Sequence, residues 1–263
     1  MIQIRRGPIP SVLKGSQSSG DTYRVQAVVT ALWAMQHGKC CYCEQGIPGE
    51  GHMKAVDHFR PKSVYKSRKN DWPNLLLACA QCNGKKSDKF PVALTDDSGQ
   101  PKVLYLKKSG AQGTALLIDP SEPNIDPEDH IGFGVDDNDL DELGHARAKG
   151  GSQMGGATIE AVGLSSVYYV RRRRAFYSEL TTSYGLLLVA ENQGEDTMLN
   201  ILKCKFAMLL SAKGRFAGFA RAYARTKERA LNALGVTIPT GAQLGDRVLP
   251  GATVAQARCK GTR

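Results

Sequence analysis

Apolar residues in the first forty positions pass from scattered to periodic. Val25, Val28, Val29, Leu32 and Trp33 recur at spacings of three and four, the period of one helical face, and predict a helix over 22–37. Asp21 stands where an N-cap belongs and Gly38 where a helix stops. Residues 1–20 show no such period and read as an extended arm ending in a Ser/Gly stretch. Between 92 and 156 the chain is rich in Asp, Gly and Pro. A strand pair is expected there at 103–106 and 115–118, and 119–129 reads as an ordered acidic loop. From Ala157 the helical period returns, with helices expected near 164–191, 196–212 and 214–234. Met198, Leu199, Ile201, Leu202, Phe206, Leu209 and Leu210 form the apolar stripe of the second, and Gly235 closes the third. Residues 236–263 read as a mobile, basic tail. No internal repeat occurs.

The pattern divides the chain into an arm and helix (1–38), a Cys- and His-bearing segment (39–92), an acidic connector (93–156), a helical region (157–235) and the tail (236–263). The 263 residues, 41% apolar, suffice for one large domain or two small ones. No run approaches the roughly 18 apolar residues of a membrane span. The N-terminal segment lacks the apolar core of a secretory signal, so a cytoplasmic protein is expected.

Charge is segregated. Residues 1–93 hold 14 Lys/Arg against 6 Asp/Glu, residues 94–142 hold 3 against 12, and residues 143–263 hold 18 against 7. Two basic lobes around an acidic stretch point to a polyanionic partner, nucleic acid first. Many basic proteins bind no nucleic acid, so charge alone does not decide this. Arg171–174 in a helix fan around most of its circumference and cannot all meet one surface. Structural pairing or a partner contact serves them as well as DNA does.

The cysteines are more specific. Five of the seven fall between Cys40 and Cys82. Cys40-x-x-Cys43 and Cys79-x-x-Cys82 each turn two thiolates toward one ion. Together they fill a tetrahedral zinc site and leave no position for substrate, so the zinc is structural. In this reading the pairs are metal ligands rather than disulfides. Cys41 in place of Cys40, and His52, are alternative ligands. Cys204 reads as core and Cys259 as incidental.

The segment between the pairs carries chemistry. Asp57 and Asn83 offer two hard oxygens, a sparse shell that magnesium accepts while keeping positions for water and phosphate. His58 titrates near neutral pH and can activate a water. Arg60, Lys62, Lys85 and Lys86 stand near enough in sequence to bind flanking phosphates. The bland alternatives are a helix cap for Asn83 and a solvated face for Lys85 and Lys86. Consecutive strand residues face opposite ways, so Asp57 and His58 serve one phosphate only if the strand ends there. Pro61 restricts Arg60 and predicts a stop at about residues 58–59.

The combined pattern resembles the HNH endonuclease family: Cys40-x-x-Cys43, Asp57-His58-Phe59-Arg60-Pro61, Asn74-Leu75, then Cys79-x-x-Cys82-Asn83-x-x-Lys86-Ser87-Asp88. The resemblance implies an α+β chain with a small ββα-metal core and a four-cysteine zinc site, embedded in a mostly helical chain. It implies His58 as general base, Asp57 and Asn83 as ligands of a catalytic magnesium or manganese ion, and Asn74 as the residue that holds the hairpin and orients the base. Its products are DNA ends with a 5′-phosphate and a 3′-hydroxyl.

Further positions extend the likeness. They are Pro8 and Pro10 in the arm, Trp72-x-Asn74, Phe90-Pro91, Leu117-Ile118-Asp119-Pro120, and Ala157-x-Ile159 before the Arg-rich helix. With them the chain resembles the PtuB-type HNH proteins of Septu and retron-linked anti-phage systems. That likeness implies a partner ABC-type ATPase of the PtuA type. No Walker A motif occurs in the sequence, so ATPase activity would come from another polypeptide. The alternatives are a stand-alone restriction-type or mobile-element HNH enzyme, and a zinc-stabilised nucleic-acid-binding adaptor without catalysis.

Overall fold

The computed structural model describes residues 1, 3–15, 20–48, 55–95, 101–105 and 113–240. His52, Cys259, position 106 and the tail from 241 onward lie outside the described residues.

The N-terminal arm is anchored by a cation. Arg6 donates to the carbonyls of Trp72, Pro73 and Leu75 at 2.6–2.9 Å and lies over the Trp72 ring. A 3₁₀ turn at Thr22–Arg24 precedes helix α1 (Gln26–Met35), so the expected helix is broken at the extended Val25. Asp21 caps nothing, because its carboxylate pairs with Lys69 at 2.6 Å. Val28, Val29 and Leu32 face the core while Val25 is exposed. The chain leaves α1 through His37 and Gly38, both at positive φ (54° and 69°).

Strand β1 (Ala55–His58) pairs antiparallel with β2 (Leu75–Ala78), with Asp57 opposite Leu76 and His58 opposite Leu75. The strand ends at His58, where Pro61 predicts the stop. All four residues of β2 are buried. Helix α2 (Ala80–Lys86) follows directly, and the sulfur of Cys79 accepts from the Cys82 N–H as its cap.

The connector contains more strand than its composition predicts. Strands β3 (Pro91–Thr95), β4 (Pro101–Tyr105) and β5 (Thr114–Ala115) form a sheet in the order β4-β3-β5. The two expected strands therefore do not pair with each other. Both flank β3, whose short run Val92-Ala93-Leu94 was masked by its polar surroundings. The acidic loop keeps a single helical turn, α3 (Pro127–His130), capped by the Asp126 carboxylate. Strands β6 (Ile131–Phe133) and β7 (Ala146–Ala148) form a second hairpin.

Helix α4 (Gln153–Val162) starts four residues before the expected onset, capped by Ser152. It lies so close to α3 that a Cβ on Gly155 would stand 2.1 Å from the His130 carbonyl oxygen. It ends at the left-handed Gly163 (φ 68°), beside the Lys85 stem.

Four helices complete the chain: α5 (Val167–Gln193), α6 (Asp196–Leu210), α7 (Ala217–Thr226) and α8 (Glu228–Ala233). At about 1.5 Å per residue, α5 is about 40 Å long and joins two cores. Tyr169 near its start packs with the hairpin and α1. Phe176, Leu180 and Leu187 pack with α6, α7 and α8. The single helix expected over 214–234 is interrupted at Lys227. On α6, Leu199, Phe206 and Leu210 are buried, whereas Met198 and Ile201 are exposed, so its apolar stripe is narrower than the sequence reads. Cys204, expected in the core, is half-buried.

Two buried arginines lock the connector to these helices. Arg173 donates to the carbonyls of Gly144 (2.9 Å) and Leu164 (2.8 Å). Arg221, fully buried, pairs with Glu128 through two nitrogens and donates to the Leu210 carbonyl. Arg174 also binds connector carbonyls. Half of the Arg171–174 run is therefore structural. No helix among the described residues is long and apolar enough to cross a membrane.

Candidate active site and metal centre

The sulfurs of Cys40, Cys43, Cys79 and Cys82 all lie within 4.8 Å of one another. The Cys43–Cys79 separation is 3.7 Å. A tetrahedron with metal–sulfur bonds of about 2.3 Å has edges of about 3.8 Å, so the four thiols match one tetrahedral ion. Cys40, not Cys41, completes the set. The cluster joins the loop after α1 to the start of α2. Tyr169 of α5 brings its hydroxyl to 3.0 Å from the Cys82 sulfur and 3.3 Å from that of Cys79. Burial pushes the Tyr169 pKa up, which keeps this hydroxyl a donor toward thiolates.

Beside the cluster, Asp57, His58 and Asn83 line one cleft of about 600 Å³. The ends of β1 and the middle of α2 form adjoining walls, so the end of the strand permits both neighbours to reach it. Asn83 sits inside α2, and the cap of that helix is Cys79, so the helix-cap alternative for Asn83 does not hold.

His58 is fixed from two sides. Its Nε2 lies 2.8 Å from the Lys69 carbonyl, which only accepts, so Nε2 carries the proton and Nδ1 keeps its lone pair. The Tyr23 ring packs edge-on at 4.6 Å. Burial lowers the His58 pKa most; the Lys69 bond and Asp57 raise it, and Lys62 and Lys86 lower it again. The imidazole is thus neutral at neutral pH, the form a general base requires.

Asn74 acts on the backbone. Its Oδ1 accepts from the Arg60 N–H at 2.7 Å, and its Nδ2 donates to the Arg60 and Arg68 carbonyls. It thereby closes the 59–74 loop, whose Lys69 carbonyl holds His58. Asn74 thus holds loop backbone and is not among the residues that line the cleft.

Asp57 is buried with two donors. The Tyr42 hydroxyl reaches Oδ2 at 2.7 Å, and Lys86 Nζ reaches Oδ1 at 3.0 Å. An ionised carboxylate has about four lone-pair sites, so Asp57 retains capacity for a cation. Asn83 lines the same cleft, and its amide oxygen and the Asp57 carboxylate are the oxygen donor types a hard divalent ion takes.

The four basic positions separate. Lys62 lines the cleft. Lys86 does not lie on a phosphate-binding surface: it is fully buried, tied to Asp57 and to the His58 carbonyl at 2.7 Å. The sequence shows its charge but not that α2 turns it inward. Arg60 stacks on Tyr65 and Phe90, at 5.5 and 5.0 Å, outside the cleft lining. Lys85 is exposed on the side of α2 facing α4. Sequence reasoning also missed Tyr42, Tyr23 and Arg24. Tyr42 lay within a quoted motif, so its position was the available signal. Tyr23 and Arg24 lie before that motif and gave none.

Comparisons with known proteins agree with this geometry. Residues 40–89 match the model of the HNH endonuclease family, so this segment is an HNH endonuclease domain. The chain is 34% identical over 105 residues to Septu protein PtuB of Bacillus thuringiensis, covering 35% of this chain and 41% of that protein. It is 29% identical over 167 residues to Septu protein PtuB of Bacillus mycoides (strain KBAB4), covering 58% and 50%. A third match, to Septu protein PtuA of the same strain, is 30% identical over 155 residues and covers 54% and 20%. The matches thus span half or less of the length of these curated relatives.

Proposed function

We propose that this HNH domain makes the chain a metal-dependent DNA endonuclease, acting in anti-phage defence beside a separate ABC-type ATPase of the PtuA kind. The observation that carries the catalytic part is one cleft holding Asp57, Asn83 and a neutral His58 with its Nδ1 lone pair available. His58 Nδ1 takes the proton of the attacking water. The Lys69 carbonyl fixes the tautomer, and Asp57 offsets the charge of the imidazolium that forms. Asp57 and Asn83 would hold a magnesium or manganese ion, which when bound would supply charge neutralisation of the phosphate and stabilisation of the leaving oxygen. The four cysteines would hold zinc and between them fill a tetrahedral site, so the zinc would support the hairpin rather than take part in hydrolysis.

The likeness to Septu PtuB proteins, and to a PtuA protein, supports the defence role and the partner. Plasmid cleavage with magnesium, using wild type and His58→Ala, alone and with the ATPase encoded beside it, tests both parts. Cleavage lost in the variant with zinc retained is the expected result. Wild-type rates from His58→Ala overturn the mechanism. Full activity without the ATPase, together with no co-purification, overturns the partnership.

A further inference from the structure

Outside the HNH segment, the turn at Thr22–Arg24 closes one side of the cleft. Its position is enforced. The Tyr23 N–H donates to Asn70 Oδ1 at 3.0 Å, and Asp21 pairs with Lys69. Tyr23 is 3% exposed, and its ring rests on His58. Its hydroxyl oxygen accepts from two cations, Lys62 Nζ at 2.6 Å and Arg24 Nε at 3.0 Å. The two nitrogens are therefore no more than about 5.6 Å apart. A phenolic oxygen has two lone pairs, and both are used.

Two like charges so close repel each other. Arg24 has Asp21 at 3.4 Å, but among the described residues Lys62 has no carboxylate within 4 Å. Both cations line the cleft that holds His58 and Asn83. A phosphodiester carries one shared negative charge on two free oxygens and can accept from both cations at once.

We propose that Tyr23, Arg24 and Lys62 form a second phosphate subsite, which grips the diester next to the one being cut. Tyr23 is its positioning residue: the hydroxyl aims the two cations and the ring steadies His58. This rests on the reading of the chain as a nuclease. It adds a substrate contact from a segment that the HNH match does not include.

Binding of a labelled DNA duplex to the full-length, zinc-loaded chain tests it, measured by fluorescence anisotropy over a salt series without added magnesium or manganese. Each phosphate contact contributes about 0.9 to the slope of log K against log salt. Arg24→Gln and Lys62→Gln should each lower that slope by about one and weaken binding. Arg24 is exposed, so its variant folds. Tyr23→Phe keeps the ring on His58 but removes the oxygen that aims the cations, and should weaken binding while leaving the slope near the wild-type value, because both charges remain. Unchanged slopes and affinity in all three variants, with wild-type binding intact, overturn the subsite and leave the nuclease reading standing. No DNA binding by the wild type at any salt overturns both.

Discussion

Lys86→Met tests how the cleft is built. The ammonium is fully buried, 3.0 Å from Asp57 Oδ1 and 2.7 Å from the His58 carbonyl. At an effective dielectric of about 20, two unit charges 3.0 Å apart attract by about 5–6 kcal/mol. Methionine keeps the length of the side chain and removes that attraction. Asp57 is left buried with only the Tyr42 hydroxyl, and the His58 carbonyl loses a donor. Breaking a buried pair from one side costs about 3–5 kcal/mol, because the remaining charge stays desolvated. Urea unfolding of the zinc-loaded protein reads this as a lower midpoint at unchanged slope. Asp57→Asn in the same chain removes the orphaned charge and keeps an acceptor for Tyr42, so the double variant should regain most of the loss. A loss below about 1 kcal/mol, or a double variant no more stable than Lys86→Met, refutes the reasoning.

Other outcomes follow from the same geometry. His58 must be neutral to act, so cleavage should rise with pH with its midpoint below the ordinary histidine value of about 6.5. Its lowered pKa means the unfolded chain binds the proton more readily. The stability it contributes is full above the unfolded value and is lost as pH falls through the folded one, which urea midpoints against pH will show. Arg221→Met leaves the Glu128 carboxylate with Arg225 as its remaining cation, so it should destabilise by less than the about 3–5 kcal/mol of a buried pair broken outright, and the double variant Arg221→Met/Arg225→Met by more, read by the same titration. Native mass spectrometry should find one zinc on the wild type and none on Cys79→Ser, with the hairpin unfolded, since the Cys79 sulfur belongs to the four-cysteine cluster and caps α2.

The legible parts of the structure were those set by local spacing. The two Cys-x-x-Cys pairs, the stop after His58 and the glycine end of α8 at Gly235 each depend on a few neighbouring residues. What stayed hidden depends on partners far away in sequence. Lys86 reads as a surface charge until β1 places Asp57 against it. Arg173 and Arg221 show their charge in the sequence but not their partners, which the connector supplies as carbonyls and Glu128. Strand β3 was missed because its apolar run is short and its partners lie on both sides of masking polar residues. Tyr23 and Arg24 belong to the cleft only because Asn70 and Lys69 draw their turn across it.

The central claim is that Asp57, His58 and Asn83 form one hydrolytic metal site. Diffraction from crystals grown with manganese, with anomalous data collected at its absorption edge, tests this most directly. The account predicts one manganese peak between Asp57 and Asn83 beside His58, and a separate zinc at the four cysteines. Zinc in its site with no manganese peak in the cleft, under conditions in which the protein cleaves DNA, would contradict it.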